Sequence, residues 1–273
     1  MIRARKRFGQ HFLEPVWVEK VIKAIAPLPD QDFIEIGPGP GALTRPLAQR
    51  AKSVTAFEID RDLAAALTEE AIPNLTVVEG DFLRLSTSDS VLTTTDSRLR
   101  VAGNLPYNVA SAIMFRLIEL HAAGVPLVDA TLMLQREVAD RLVAPPGSKE
   151  YGVLSILIGH AADVETVLKL PAGAFRPPPK VLSSLVRLRF RAPDPPVNDL
   201  AMFGRLVQAV FTRRRKTMAN ALRAMEDGRP LALGPAEALA AAGLDGSRRP
   251  ETLSIAEFAR LADIYVPQPR AVL

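Results

Sequence analysis

Asp32-Phe33-Ile34-Glu35-Ile36-Gly37-Pro38-Gly39-Pro40-Gly41 reads as a short buried strand that breaks into a glycine loop. Ile34 and Ile36 are β-branched and Phe33 is aromatic, side chains that suit a pleated, packed surface. The segment from Ala42 to Ala48 has Leu43 and Leu47 four apart, on one face of a helix. Glycines at 37, 39 and 41 allow the backbone to approach a ligand at the carboxyl edge of a sheet. The helix start behind them presents free N–H groups to an anion. Ser53 to Phe57 reads as the next strand and ends in Glu58, 21 residues after Gly37. A carboxylate at that spacing is where doubly wound nucleotide folds bind ribose hydroxyls. On this pattern alone, a structural turn followed by a solvated acid is the alternative. The glycines are spaced G-x-G-x-G rather than G-x-G-x-x-G, which disfavours NAD.

Working outward, strands and helices alternate from Asp32 to about Phe190, the signature of a mostly parallel α/β sheet. Leu75 to Val78 is a third strand, closing at Gly80-Asp81, and Leu99 to Ala102 a fourth, closing at Gly103-Asn104. Ala130 to Leu134 is a fifth, followed by a helix from Arg136 to Val143. Val164–Leu168 and Leu185–Phe190 are two late strands with no long helix between them, so the last strand is expected to run antiparallel. Ala192-Pro193-Asp194-Pro195-Pro196 is the best linker. Beyond it, Leu200–Ala224 and the stretch from Leu231 onward show helical spacing only. The expected division is an α/β sheet domain over 1–191 and a small all-helical domain over 192–273. Residues 84–98, rich in Ser, Thr and Asp, read as a surface loop.

Composition narrows the classes of function. The chain has 273 residues, 48% hydrophobic and 23% charged, ordinary for a soluble protein. It has no cysteine, hence no thiol nucleophile and no disulfide, and its three histidines lack metal-ligand spacing, so no metal site is expected. No run approaches the roughly 18 apolar residues of a membrane helix, and no apolar stretch follows the basic start as in a signal peptide. A cytoplasmic protein with no membrane partner is expected. Net charge is only +4, yet its placement is uneven. Arg3-Ala4-Arg5-Lys6-Arg7 precedes the first acid, Glu14, and Arg213-Arg214-Arg215-Lys216 sits in a second acid-free run. Either run alone is a solvated face as readily as a ligand surface. Two together point to a nucleic-acid backbone.

Glu58, Asp81 and Asn104 each close a strand, and strand ends on one edge of a parallel sheet converge on the ligand crevice. Asp and Asn also end strands for local reasons, but three behind one glycine loop favour a site. Asn104-Leu105-Pro106-Tyr107 suits attack by an exocyclic amine on a carbon electrophile. The Asn104 amide oxygen and the Leu105 carbonyl can accept its two N–H bonds, orienting the nitrogen. Pro106 stiffens the loop, and Tyr107 can stack on the base. A strand-terminating Asn-x-Pro turn is the alternative for the tetrapeptide alone.

Taken in order, Ile34–Gly41, Phe57-Glu58, Gly80-Asp81 and Asn104–Tyr107 resemble the motifs of S-adenosylmethionine-dependent adenine-N6 methyltransferases. Phe8-Gly9-Gln10-His11-Phe12-Leu13 and Phe175-Arg176-Pro177-Pro178-Pro179-Lys180-Val181 resemble motifs of the rRNA adenine dimethyltransferases. Phe211–Thr217 and Arg249–Ser254 are similar to the small-subunit branch, KsgA/RsmA. The resemblance implies a Rossmann-like methyltransferase sheet and S-adenosyl-L-methionine as cofactor. It implies cofactor contacts from His11, Leu13, Gly37, Glu58, Asp81 and Asn104, with Glu58 on the ribose and Asp81 on the adenine amine. Asn104, Leu105, Pro106 and Tyr107 hold the target adenine, with Phe175 as a second aromatic wall. Arg213, Arg214, Arg215 and Lys216 grip phosphates. The implied substrate is a pair of adjacent adenines in the 3′-terminal hairpin loop of small-subunit rRNA, each dimethylated, on the assembling 30S subunit by a monomer. Position 11 is histidine where asparagine is also common, and Pro250 stands where alanine is frequent. The basic start predicts that residues 1–12 order on cofactor binding.

Overall fold

The computed structural model describes residues 11–86, 89, 92, 98–226 and 233–266. The basic start Arg3–Arg7, Phe8–Gln10, ten of the twelve residues (1–12) expected to order on cofactor binding, and most of the 84–98 loop lie outside the described residues. By their contacts, residues divide into two compact units. One comprises 1–139 with 163–191, the other 140–162 with 192–273.

In the first unit the chain order is β1 (Phe12–Leu13), α1 (Pro15–Ile25), β2 (Asp32–Ile36), α2 (Thr44–Ala48), β3 (Ser53–Glu58), α3 (Arg61–Glu69) and β4 (Leu75–Glu79). It continues through β5 (Leu99–Asn104), α4 (Ala110–Ala122), β6 (Leu127–Gln135) and α5 (Arg136–Leu142), the last crossing into the second unit. After α6 (Val153–Ala161) it returns with β7 (Ala162–Leu170), β8 (Phe175–Arg176) and β9 (Ser183–Phe190). Seven strands form one sheet in the order β4-β3-β2-β5-β6-β9-β7. The β2–β3, β2–β5, β3–β4 and β5–β6 pairs are parallel, and β9, the last strand, is antiparallel to β6. Strand order reverses around β2, between β3 and β5, and a crevice at such a switch point is where open α/β sheets bind ligands.

Local chemistry explains the elements. All five residues of β2 are buried, so its apolar run is covered on both faces. Proline begins α1, where its missing N–H costs nothing. Asp60 caps α3 by accepting from the Asp62 amide at 3.2 Å. The expected helix after the glycine loop begins at Thr44 rather than Ala42 and lasts five residues. A feature absent from the expectations is a second, two-stranded sheet in which β1 pairs antiparallel with β8, Leu13 opposite Phe175. The Glu14 amide donates to Ala174 O at 2.8 Å and extends that pairing.

The second unit is helical, with α6, α7 (Leu200–Thr212), α8 (Met218–Ala221), α9 (Pro235–Ala241) and α10 (Ile255–Ile264). Its core joins Tyr151 and Ile156 to Phe203, Leu206, Val210 and Phe258. That packing draws 140–162 into this unit, although they precede the linker and read as part of the sheet domain. Asp199 caps α7 by accepting from the Ala201 and Met202 amides, and Ser254 and Glu257 form a capping box on α10. The long helical run expected from Leu200 breaks at 213–217, so the basic cluster lies just past the carboxyl end of α7. Cations there complement the helix dipole. No helix among the described residues is long and apolar enough to cross a membrane.

Candidate active site

At the carboxyl edge of the parallel strands, the first unit holds a cavity of about 260 Å³. Its lining includes His11, Leu13, Gly37, Glu58, Asp81 and Asn104, together with Leu105, Pro106 and Tyr107. Nine of the ten expected cofactor and catalytic residues therefore meet in one space. The tenth does not. Phe175 is only 2% exposed and sits in the core with Leu13, Met133 and Leu185. Pairing of β8 with β1 goes with that burial, and Phe175 does not line the cavity. The ring that lies against Tyr107 is that of His11, with centroids 5.7 Å apart and planes 25° apart.

The strand ends are polar for reasons visible in their bonds. Glu58 is buried, and its two oxygens accept from the Gly39 amide and the Asp60 amide, each at 2.9 Å. Burial pushes its carboxyl above the usual range, and the backbone donors oppose that rise. The carboxylate thus ties the glycine loop to the end of β3. Gly39 has φ +57°, and a Cβ there would lie 3.3 Å from the Phe12 ring, so the loop needs glycine on both counts. Gly103 serves differently, since a Cβ on it would come within 2.7 Å of Ile36 O. Only glycine lets β5 carry Asn104 this close to β2. Asp81 accepts from the Leu83 amide at 3.0 Å through Oδ1, which starts the turn Phe82–Arg84.

Asn104 is oriented by a residue far away in sequence. Its Nδ2 donates to His11 O at 2.7 Å. A carbonyl can only accept, so the amide nitrogen must face His11 and Oδ1 must point the other way. His11 is itself clipped, because its Nδ1 lies 2.7 Å from Pro177 O and must carry the proton. Tyr107 is fixed by its hydroxyl, 2.7 Å from Ser183 Oγ at the start of β9. Burial raises the Tyr107 phenol above its ordinary value.

Two residues escaped the sequence reading. Glu35 lines the same cavity from within β2, only 1% exposed, and burial pushes its carboxyl up to about 7. The signal was a charge between Ile34 and Ile36, inside a fully buried strand. Ser183 had no signal of its own, being one serine in a run that begins a strand. In the second unit, Arg213, Arg215 and Lys216 are exposed. Arg214 is half-buried and donates to Ser148 O at 3.2 Å, with Glu251 4.0 Å away. Of the four basic residues, Arg214 is the one most engaged within the protein.

The residues fit a cationic nucleoside donor: a buried carboxylate at the end of β3 for ribose hydroxyls, a second acid just past the end of β4, and a glycine loop after the neighbouring β2. Comparison with known proteins agrees. The family model for ribosomal RNA adenine dimethylase matches residues 1–265. A ribosomal RNA small subunit methyltransferase A from Acinetobacter baylyi is 44% identical over 97% of this chain and 93% of its own. One from Methylibium petroleiphilum is 40% identical over 98% of both. Among solved structures, a dimethyladenosine transferase from Plasmodium falciparum is 26% identical, with a TM-score of 0.74 over 92% of this chain and 96% of that one. The 23S rRNA methyltransferase ErmE is 29% identical, with a TM-score of 0.64 over 93% and 99%. With its sheet order, its strand-end acids and a match running nearly end to end, this chain belongs to the ribosomal RNA adenine dimethylase family.

Proposed function

We propose that the protein transfers methyl groups from S-adenosyl-L-methionine to the N6 amines of two adjacent adenosines in the 3′-terminal hairpin loop of small-subunit (16S) rRNA, two to each. It acts in the cytoplasm, as a monomer, on the assembling 30S subunit. The observation that carries this reading is the Asn104 amide, turned by His11 O so that Oδ1 is left to accept. An adenine amine is a poor nucleophile because its lone pair is delocalised into the ring. Oδ1 of Asn104 and the Leu105 carbonyl take its two N–H bonds and favour the pyramidal nitrogen of the transition state.

The donor supplies an electrophilic methyl group. Glu58 holds its ribose hydroxyls, Asp81 its adenine amine, and His11, Leu13 and Gly37 border the rest. Tyr107 offers a face to the target base, which must be splayed from a loop to reach it. Positioning of amine and methyl in line supplies much of the rate. Arg213, Arg215 and Lys216 grip RNA phosphates, and Arg214 shapes that surface through Ser148. The small-subunit reading is supported by relatives of that name at 40–44% identity, against 29% for the large-subunit enzyme.

The test is transfer of radiolabelled methyl groups to small and large ribosomal particles from an undermethylated strain, with Asn104→Ala as control. Label in N6,N6-dimethyladenine of 16S rRNA, lost in the variant, is expected. Label confined to the large particle would move the substrate to 23S rRNA. No label on either, with donor still bound, would make binding to the assembling subunit the main function.

A further inference from the structure

The second unit holds an acid among its exposed cations. Glu251 lies in the turn Pro250–Thr252, directly after Arg249, and its carbonyl accepts from the Gly147 amide at 2.7 Å. Glu251 Oε2 is buried, and no described group donates a hydrogen bond to it. Arg214 Nε lies 4.0 Å from that oxygen, within ion-pair range but not hydrogen-bonded. Arg214 Nη2 donates to Ser148 O at 3.2 Å. Nε and Nη2 share one edge of the planar guanidinium, so that edge is turned to the protein. No described group accepts from Nη1, and the side chain remains 35% exposed. Its neighbours are held less firmly. Arg213 Nη1 is 3.5 Å from Asn220 O, and the exposed side chains of Arg215 and Lys216 have no partner among the described residues.

We propose that Glu251 is a positioning residue for RNA: it fixes Arg214 by one edge and so presents the Nη1 end of the fork to a phosphate. A long side chain free in solvent must surrender rotamer freedom to grip a phosphate, and Arg214 has surrendered much of it already. The planar fork then meets the anion with two donors at once. Arg214 thus contributes a directed contact, where Arg215 and Lys216 contribute charge. Charge counting alone gives Glu251 the opposite role. An acid among RNA-facing cations repels phosphate, so its removal would tighten binding. Positioning requires that its removal loosen binding. The inference rests on the basic cluster at 213–216 being an RNA surface, which Arg215→Ala tests by itself.

The experiment measures the affinity of the full chain for small ribosomal particles from an undermethylated strain, across a salt series. Glu251→Gln is expected to weaken binding about threefold, the scale of a partly exposed ion pair. The slope of log affinity against log salt should become shallower by up to about 1, one phosphate contact. Arg214→Ala should do the same, and the double variant should lose no more than the larger single loss. In methyl transfer the loss should appear in KM for the particle and not in kcat, a split that general unfolding would not give. Unchanged or tighter binding by Glu251→Gln, or additive losses in the double variant, overturns the proposal. Loss with Arg215→Ala but none with Arg214→Ala also overturns it and leaves the RNA surface standing. No loss with any of the three overturns both. Should Glu251→Gln not fold, Arg214→Lys decides, because it keeps the charge without the fork. Weaker binding at an unchanged salt slope supports the directed contact, and wild-type affinity overturns it.

Discussion

The two edges of the central sheet carry similar polar residues and use them in opposite ways. At the amino edge, Arg100 near the start of β5 directs Nε and Nη2 at Asp129 of β6, at 2.9 and 2.8 Å. Its remaining donors reach Ile25 O, Ala26 O and Gln31 Oε1. All five N–H groups of a guanidinium are then satisfied. Beside it, Asp32 at the start of β2 accepts from Ser53 Oγ at 2.6 Å and from Lys52 Nζ at 3.2 Å. At the carboxyl edge, no described residue donates to Asn104 Oδ1, and Glu35 Oε2 has no partner. One edge is closed upon itself. The other keeps acceptors open toward a cavity among the described residues, where a ligand can meet them. Polarity at a strand end does not mark a site; unspent hydrogen-bonding capacity does.

The contrast is most severely tested at its closed end. Arg100→Met leaves Asp129 as a buried charge without its bidentate partner, and removing one member of a buried pair costs about 3–5 kcal/mol. A urea midpoint lowered accordingly is expected, with methyl transfer per folded molecule preserved. Adding Asp129→Leu should recover part of the loss, since it removes a buried carboxylate left with only Arg187, 3.9 Å away. A small loss in the single variant would mean that the amino edge is no more committed than the other.

At the open end the expectation reverses. Asn104→Ala removes an acceptor that no described side chain needs and one hydrogen bond, to His11 O, worth about 1 kcal/mol net, so stability should fall only slightly. Activity should fall about 10²- to 10³-fold, the scale for losing one preorganised polar group at a reacting centre. The check is single-turnover methyl transfer beside a urea melt of the same sample. A stability loss as large as that of Arg100→Met would make Asn104 a structural residue.

Glu35 gives an intermediate effect with a definite sign. Its folded pKa, about 7, lies above the ordinary 4.5, so the folded state holds a proton that the unfolded chain releases earlier. That contribution is fully present below about pH 4.5 and is lost as pH rises through 7. The ligand-free protein should lose up to ~3 kcal/mol from this group between pH 4.5 and 8. Glu35→Gln should flatten that part of the profile, read as urea midpoint against pH. An unchanged slope would assign the pH dependence to other groups.

How much of this was legible in the sequence follows from distance along the chain. Glu58, Asp81 and Asn104 could be placed because each ends its own strand, and parallel strands bring such ends together. The sheet and its antiparallel last strand were readable for the same local reasons. Partners remote in sequence were not: His11 O and Asn104 are 93 residues apart, and β1 meets β8 across a much longer stretch, Leu13 to Phe175. The resemblance made Phe175 a wall, and an aromatic beside prolines gives no hint of its own of which way its ring turns. Only its pairing with Leu13 decides that. Residues 140–162 read with the sheet because they precede the linker, although Tyr151 and Ile156 pack with the later helices. Glu35 stood in the first stretch quoted, but a charge in an apolar strand declares itself only when its surroundings offer no partner.

The smallest effect probes where the two edges' logic meets, at Tyr107. This residue lies at the open edge, yet its hydroxyl is spent on Ser183, which is 1% exposed. Ser183→Ala removes one neutral hydrogen bond, worth about 1 kcal/mol net, and the half-buried phenol can turn to water instead. A fall in kcat of less than about tenfold is expected, with donor affinity unchanged. Tyr107→Phe deletes the same bond from the other side, so the double variant should lose no more than the larger single loss. Such non-additivity in kcat would make Ser183 a positioning residue that holds the aromatic ring against the target base. Additive losses, or a loss of stability with kcat intact, would place the bond with the closed edge, as part of what holds β9 to the sheet rather than what holds the base to the enzyme.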